Sequence, residues 1–140
     1  MNRTALSCLC LLLAACEPAT TFSSCDGRRE GRGHRLANKN DGCWTLFGPD
    51  GTRAATGRFA HGVPVGLWKQ FWPNGALKER ALLRDGARHG EAATFHDHGG
   101  RESAGRYENN VPCGAWVFWD RTGQVDAART GHYVAGVRVE

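Results

Sequence analysis

The sequence is short of the aliphatic residues that build most protein cores. Its 140 residues include no isoleucine and a single methionine. Beyond residue 15, leucine, valine and phenylalanine together supply 20 of 125 residues, below the level of roughly 20% at which composition suggests disorder. The net charge of only +4 is much lower than that of a typical disordered chain. The composition therefore argues against both a disordered tail and an ordinary leucine–isoleucine core, and the length allows one modest domain.

The sequence also lacks an apolar run long enough to cross a membrane as a helix, and its longest apolar stretch lies at the start. Arg3 precedes residues 5–15, which are apolar except for Ser7. A positive charge followed by such a stretch is typical of an export signal, whereas crossing a bilayer takes about 20 residues. We therefore predict that residues 1–15 are a signal peptide.

The end of this stretch, Leu13-Ala14-Ala15-Cys16, resembles the lipobox of bacterial lipoproteins. In that family the signal is removed just before the cysteine, which then carries several acyl chains and makes a stable anchor. The resemblance implies that Cys16 is the lipid attachment site; an ordinary secretory signal or a buried hydrophobic helix is the alternative. Because Glu17 stands where the family usually has aspartate in proteins retained at the inner membrane, the resemblance implies an outer-membrane lipoprotein on the periplasmic or surface side.

Residues 16–41 are interpreted as the lipidated cysteine followed by a flexible basic tether. Arginine and glycine are concentrated in residues 28–35. In an exported protein this composition favours a solvated linker that can touch anionic headgroups over an arginine- and glycine-rich nucleic-acid segment. No nucleic-acid partner is therefore predicted.

A repeat of 24 residues organises the chain after the tether. The units begin with Gly42, Gly66, Gly90 and Gly114. Tryptophan follows two positions later in three units, an aromatic residue five positions later in all four, and a second glycine nine positions later in all four. Such self-similarity indicates a repeat architecture, with units at 42–65, 66–89, 90–113 and 114–140. The fourth unit needs a two-residue insertion to stay in register.

Each unit has the pattern of a β-hairpin. An aromatic strand such as residues 68–72 runs into a turn such as Pro73-Asn74-Gly75, and a second strand follows. Asn-Gly and Asp-Gly supply the positive φ angles that tight hairpin turns need. Four such units predict an all-β fold, an elongated antiparallel meander of about eight strands. Because the two aromatic columns are three residues apart, either both faces carry aromatic residues or a bulge interrupts the strands.

The pattern Gly-x-Trp-x-x-Phe-x-x-x-Gly, followed by Gly-x-Phe/Tyr-x-x-Gly, resembles the MORN repeat. It is most similar to the MORN-variant repeats of bacterial proteins, many of which carry the label of toxin–antitoxin antitoxin. The resemblance covers residues 42–140. It departs from the pattern in the third unit, where Ala92 replaces tryptophan and His96-Asp97-His98 replaces the proline turn. The resemblance implies a β-hairpin scaffold, an architecture that serves unrelated functions.

No catalytic set is predicted. Beyond the signal peptide the serines are Ser23, Ser24 and Ser103, and none lies in a motif that pairs it with a base. His96 and His98 share a strand face and can bind a metal with a third ligand, but filling the third turn is the interpretation we favour. We therefore predict no enzyme activity, no metal and no cofactor.

Three cysteines remain besides Cys16, namely Cys25, Cys43 and Cys113. An oxidising compartment permits disulfides. A regular meander separates Cys43 from Cys113 by about six strands, roughly 29 Å, well beyond the ~7 Å reach of a disulfide. A Cys25–Cys43 disulfide is feasible and would fasten the tether to the first hairpin. Cys113 then keeps a thiol, unless Cys25 pairs with Cys113 instead.

Trp72 and Phe118 are the predicted partner-binding residues. The other tryptophans and most phenylalanines recur in register, which favours a role in the core, whereas the columns of Trp72 and Phe118 hold no other aromatic residue. Aromatic side chains are preferred anchors at interfaces. The sequence thus predicts a non-catalytic, lipid-anchored binding or scaffold protein of the cell envelope, with a protein or an envelope polymer as partner. The alternative, implied by the family label, is an immunity or antitoxin-like protein that neutralises a toxin.

Overall fold

The computed structural model describes residues 34–36 and 39–139, and their regular structure is β-strand throughout. The strands are β1 (His34–Leu36), β2 (Lys39–Phe47), β3 (Arg53–Ala60), β4 (Val63–Phe71), β5 (Leu77–Arg84), β6 (Ala87–Phe95), β7 (Arg101–Glu108), β8 (Val111–Phe118), β9 (Gly131–Val134) and β10 (Val137–Val139). Each strand pairs antiparallel with the next in one sheet. The predicted all-β meander is confirmed, and β1 and β10 extend it beyond the eight strands expected. The predicted signal peptide lies outside the described residues.

The glycine that opens each sequence unit lies inside a strand. Gly66 is the fourth residue of β4, and the same offset holds in β6 and β8. Unit boundaries set at these glycines, such as 65/66, therefore cut through strands. All four opening glycines have positive φ, 72° at Gly66, a conformation that glycine adopts without strain. This backbone requirement explains why glycine recurs there.

Two kinds of loop alternate along the sheet. Five-residue loops lie at 48–52, 72–76, 96–100 and 120–124. The first three join the two strands of a hairpin directly, and the fourth lies between the bridged residues Trp119 and Val125. In each, the first N–H donates to the last carbonyl and the fourth N–H donates to the first carbonyl. The loop at 96–100 keeps both bonds although its sequence departs from the proline turn. Two-residue loops join successive hairpins, and both residues have positive φ, as in His61-Gly62 with 50° and 88°, which is the signature of type I′ turns.

Bulges resolve the spacing of the two aromatic columns. Pairing skips one residue of the second strand in each of the first three hairpins: Ala54, Lys78 and Glu102. Between its Trp and Phe columns the first strand runs regularly along the second, so the two columns lie on opposite faces. Both alternatives left open by the sequence therefore occur together, because the bulge lies on the partner strand.

One row of cross-strand neighbours shows how the tryptophans pack. The row runs Trp44, Gly57, Trp68, Ala81, Ala92, Gly105, Trp116, Gly131. Residues opposite each other in an antiparallel sheet share a face, and we call this side of the sheet the Trp face. A Cβ added at Gly57 would overlap the indole of Trp68, and one at Gly105 would overlap the indole of Trp116. Each of these glycines therefore makes room for a ring.

The core is thin because the described residues form one sheet. Its buried apolar members are Ala81, Ala92, Ala93, Cys113 and Trp116, and Ser103 is buried with them. Large side chains such as Phe47 remain half exposed, at 52%. The shortage of leucine and isoleucine thus fits a sheet that buries small residues and rings rather than a packed interior.

A hydrogen bond connects each two-residue loop to the first strand of the hairpin that precedes it. The loop N–H of Gly62 donates to the carbonyl of Asn40 at 2.8 Å, and the bond repeats from Gly86, Asn110 and Gly136 at 2.9–3.1 Å. The predicted insertion of the fourth unit leaves the sheet at residues 126–130, before β9 resumes the row at Gly131.

Candidate binding surface

Two clusters of aromatic rings lie on the Trp face. In the first, Phe59 meets Trp44 and Trp68 edge to face, with ring centroids 6.1 and 5.0 Å apart. The second surrounds Trp116, whose ring lies 5.0 Å from Tyr107, 5.8 Å from Phe118 and 6.4 Å from Tyr133. Offset and edge-to-face pairs of this kind stabilise by about 0.5–1.5 kcal/mol each beyond their buried area.

A depression of about 200 Å³ separates the two clusters. Its lining includes Ala81, whose neighbour in the row on β6 is the buried Ala92, where the other hairpins have a tryptophan. Its other lining residues include Trp68, Gln70, Glu79, Leu83 and Arg88. The one repeat unit that lacks its tryptophan therefore leaves a gap in an otherwise regular series of rings.

An ion pair forms one wall of the depression. Arg88 Nε donates to Glu79 Oε1 at 2.7 Å, and Nη2 donates to Oε2 at 2.9 Å. The Glu79 side chain is 12% exposed and that of Arg88 38%. The hydrogen bond to Glu79 raises the pKa of Arg88. The Arg88 guanidinium lies 5.7 Å from the ring of Tyr107, whose pKa is raised chiefly by burial. The depression thus combines a fixed cation, a carboxylate and aromatic surface.

Polar side chains continue from the depression toward the second cluster. A second row on the Trp face runs Gln70, Glu79, Thr94, Ser103, Phe118. The hydroxyls of Thr94 and Ser103 are hydrogen-bonded at 2.7 Å, and Ser103 is 5% exposed.

The structure places Phe118 on the Trp face and within the second cluster. Its ring stacks on Trp116 at an interplanar angle of 22°, and the Arg129 guanidinium carbon lies 4.3 Å from the centre of the ring. Phe118 is half-buried, so it packs within the fold and also contributes to the surface. Its role in partner binding stays a prediction.

Trp72 lies apart from Phe118, at the start of the five-residue loop 72–76. Its indole N–H donates to the carbonyl of Phe95 at 2.9 Å, and Lys78 Nζ lies 4.6 Å above its ring. His96 repeats this position one unit later, with Nε2 3.3 Å from the carbonyl oxygen of Trp119. Trp72 and His96 therefore share a role that their identities conceal: each links its loop to the strand end that precedes the loop of the next unit. Binding of a partner by Trp72 stays a prediction.

Among the cysteines, Cys43 takes part in a disulfide, and Cys113 is a thiol, 1% exposed. The Cys43–Cys113 bond that strand spacing argues against is therefore not formed. Cys25 and the predicted lipid attachment site Cys16 lie outside the described residues. The Cys25–Cys43 pairing and the lipidation of Cys16 stay predictions.

The histidines of the third loop stack on each other. The rings of His96 and His98 lie 5.3 Å apart and nearly parallel, while Asp97 accepts a hydrogen bond from Arg121 at 2.6 Å. This bond lowers the pKa of Asp97. Within residues 34–36 and 39–139, no three His, Cys, Asp or Glu side chains are placed to hold a metal.

Sequence reasoning missed Glu79, Arg88 and Ala81. Ala92 was visible as a departure from the repeat, but its partner Ala81 lies 11 residues earlier and becomes meaningful only once strand register is known. Glu79 and Arg88 meet across β5 and β6 near a bulge, and no column of the repeat singles them out.

Comparisons with known proteins add no name to this surface. Neither a scan against protein-family models nor a search of curated proteins finds a match. In the part of the chain that the structure describes, no helix has the length and apolar character to cross a membrane. The similarity to MORN-variant repeats accordingly stays a resemblance based on the residues quoted above.

Proposed function

We propose that this protein is a non-catalytic, lipid-anchored binding protein of the cell envelope whose contact surface is the Trp face. The observation that carries the proposal is the depression between the two aromatic clusters. Tryptophan, tyrosine and arginine are enriched among the residues that dominate binding at interfaces. Trp68 and Arg88 line the depression, and Tyr107 lies behind the Arg88 guanidinium, 5.7 Å from it. The predicted export signal and the lipobox-like sequence that ends at Cys16 support the envelope location.

Matched arginine substitutions test the surface. Gln70 is exposed and lines the depression, so Gln70→Arg adds a second cation beside Arg88 and covers the opening. Ala115 is exposed, precedes Trp116 in β8 and so faces the other way. We expect immobilised full-length Gln70→Arg to capture at least tenfold less partner from detergent-solubilised envelope, and Ala115→Arg to match wild type. Equal capture by all three proteins would place the contact surface elsewhere.

A second experiment tests the anchor. Bacteria expressing the chain are fed a clickable fatty acid and fractionated. We expect label and membrane retention for wild type, and the loss of both for Cys16→Ser, because the thiol that carries the lipid is gone. Label or membrane retention unchanged in Cys16→Ser would contradict lipidation at this residue.

A further inference from the structure

We propose that the depression binds one aromatic side chain, a tryptophan or a tyrosine, presented by a protein partner. This inference rests on the proposed function and names the chemistry by which the partner is recognised. Three observations carry it: the position of the gap, the walls that remain around it, and its size and polarity.

The gap interrupts a regular series. Hairpins one, two and four place Trp44, Trp68 and Trp116 on the same face, two strands or about 9.6 Å per step. The third hairpin has Ala92 at the equivalent position, so the interval between Trp68 and Trp116 is about twice as long. The face therefore offers a space at a site where its neighbours hold an indole.

The walls of the gap correspond to those that hold an indole elsewhere. Trp68 lies on Gly57 and against the ring of Phe59, 5.0 Å away. One unit later the floor is Ala81 and the side wall is Leu83. Because Ala81 carries a methyl group that Gly57 lacks, a ring in the depression lies farther from the backbone. The geometry suits a ring that enters from solvent rather than one built into the strand.

Size and polarity then select the occupant. A space of about 200 Å³ is below the roughly 300–1,000 Å³ of small-molecule pockets and accommodates one large side chain. Arg88 offers a cation to a ring face, and the Glu79 carboxylate can accept an indole N–H or a phenol O–H. Tryptophan and tyrosine have both an apolar body and such a donor, whereas phenylalanine and leucine do not.

Titration of the full chain with N-acetyl-tryptophanamide tests the proposal, followed through the methyl NMR signals of Leu83. We expect saturable shifts with roughly millimolar affinity. N-acetylglucosamine at the same concentrations is the comparison for a glycan ligand and should shift these signals little. Absence of a response to the indole, or an equal response to the sugar, would overturn the assignment.

The repeat itself supplies the variant that fills the gap. Ala81→Gly/Ala92→Trp recreates the Trp-on-Gly arrangement of the other hairpins, so we expect indole affinity to fall at least tenfold without a loss of thermal stability. Ala92→Leu is a smaller filling that leaves Ala81 in place, and we expect it to weaken indole binding severalfold. Unchanged affinity in both variants would show that the indole binds elsewhere.

The same variant separates this inference from the proposed function. If Gln70→Arg abolishes capture of the partner and Ala81→Gly/Ala92→Trp does not, the Trp face binds a partner without an inserted ring. If both abolish capture and free N-acetyl-tryptophanamide competes with the partner, the inference is supported. If neither changes capture, the proposed contact surface is wrong as well.

Discussion

Small residues determine where the tryptophans of this sheet can lie. Gly57 and Gly105 each lie beneath an indole from the next strand. In the second hairpin the residue equivalent to Gly57 is Ala81, and its partner on the next strand, Ala92, stands where the other units have tryptophan. The glycine and the tryptophan are therefore replaced together. The sequence shows the tryptophan column and the Gly-x-Phe/Tyr column to which Gly57 and Gly105 belong. It does not show that these glycines lie beneath Trp68 and Trp116, because ring and glycine come from successive hairpins and meet only through strand register.

This packing predicts a strong coupling between Gly105 and Trp116. Gly105→Ala places a methyl group inside the space of the indole, and overpacking of this kind costs about 1–3 kcal/mol of unfolding free energy. In a Trp116→Ala background the ring is absent, so the same Gly105→Ala change should cost close to nothing. Urea unfolding of the four proteins in this double-mutant cycle measures the coupling. An additive cycle would show that the ring does not depend on the glycine.

The disulfide of Cys43 also gives a prediction about single residues. The sequence predicts Cys25 as its partner, so peptide mapping without reduction should yield a linked Cys25–Cys43 peptide and an alkylatable Cys113 after unfolding. The Cys25→Ser variant should lose about 3 kcal/mol of unfolding free energy, as expected for closing a loop of this length. Recovery of Cys43 linked to another cysteine would disprove the pairing.

At the scale of the elements, the loops are the best predicted parts. Their Gly, Asn and Asp residues adopt positive φ readily or accept local hydrogen bonds, so these residue types indicate the loops directly. The bulges opposite the Phe column were open alternatives in the sequence, because a skipped residue leaves no mark in composition. The link between loops through Trp72 was missed, since Trp72 and His96 look unrelated until their shared acceptor geometry is seen.

Loop carboxylates predict a dependence of stability on pH. Asp50 Oδ1 accepts hydrogen bonds from the N–H and hydroxyl of Thr52, and Asp120 accepts the same bonds from Thr122. These bonds lower the pKa of both aspartates. A carboxylate with a lowered folded pKa stabilises the fold above its unfolded pKa of about 3.9, and the contribution is lost as pH falls through the folded value.

The neutral counterpart already exists in the second loop, where Asn74 Oδ1 accepts from the N–H of Ala76 at 2.9 Å. We therefore expect Asp50→Asn/Asp120→Asn to lose less stability than wild type between about pH 5 and pH 2, measured as the urea midpoint. The single variants Asp50→Asn and Asp120→Asn should each show part of this change. Identical pH profiles for wild type and all three variants would contradict this role of the loop aspartates.

The loop link at Trp72 predicts a graded response. Trp72→Phe keeps a ring beneath Lys78 but removes the N–H that reaches the Phe95 carbonyl, so it should cost about 1 kcal/mol. Trp72→His introduces the residue that makes the equivalent contact at His96 and should retain more of the stability. Thermal unfolding of both variants measures the difference. A phenylalanine variant as stable as wild type would show that the hydrogen bond contributes nothing.

At the scale of the whole molecule, the 24-residue period was sufficient to predict an antiparallel meander, because each unit repeats both turn chemistries. Stability in such an array is close to a sum of contributions from neighbouring units, and here the bonds from Gly62 and its equivalents supply links at every step. The depression could not be predicted, because Ala81 and Glu79 of β5 and Arg88 of β6 come together only through strand register. The repeat supplies the regular surface, and the replacement of its tryptophan by Ala92 in the third unit supplies the candidate site.

Photo-crosslinking in intact cells tests the central claim, that the Trp face is the contact surface, most directly. A benzophenone amino acid is placed at position 70 on the Trp face or at position 115 on the opposite face, and adducts are compared after irradiation. The account predicts a discrete higher-mass adduct from position 70 and none from position 115. An adduct from position 115 alone, or equal adducts from both, would contradict it.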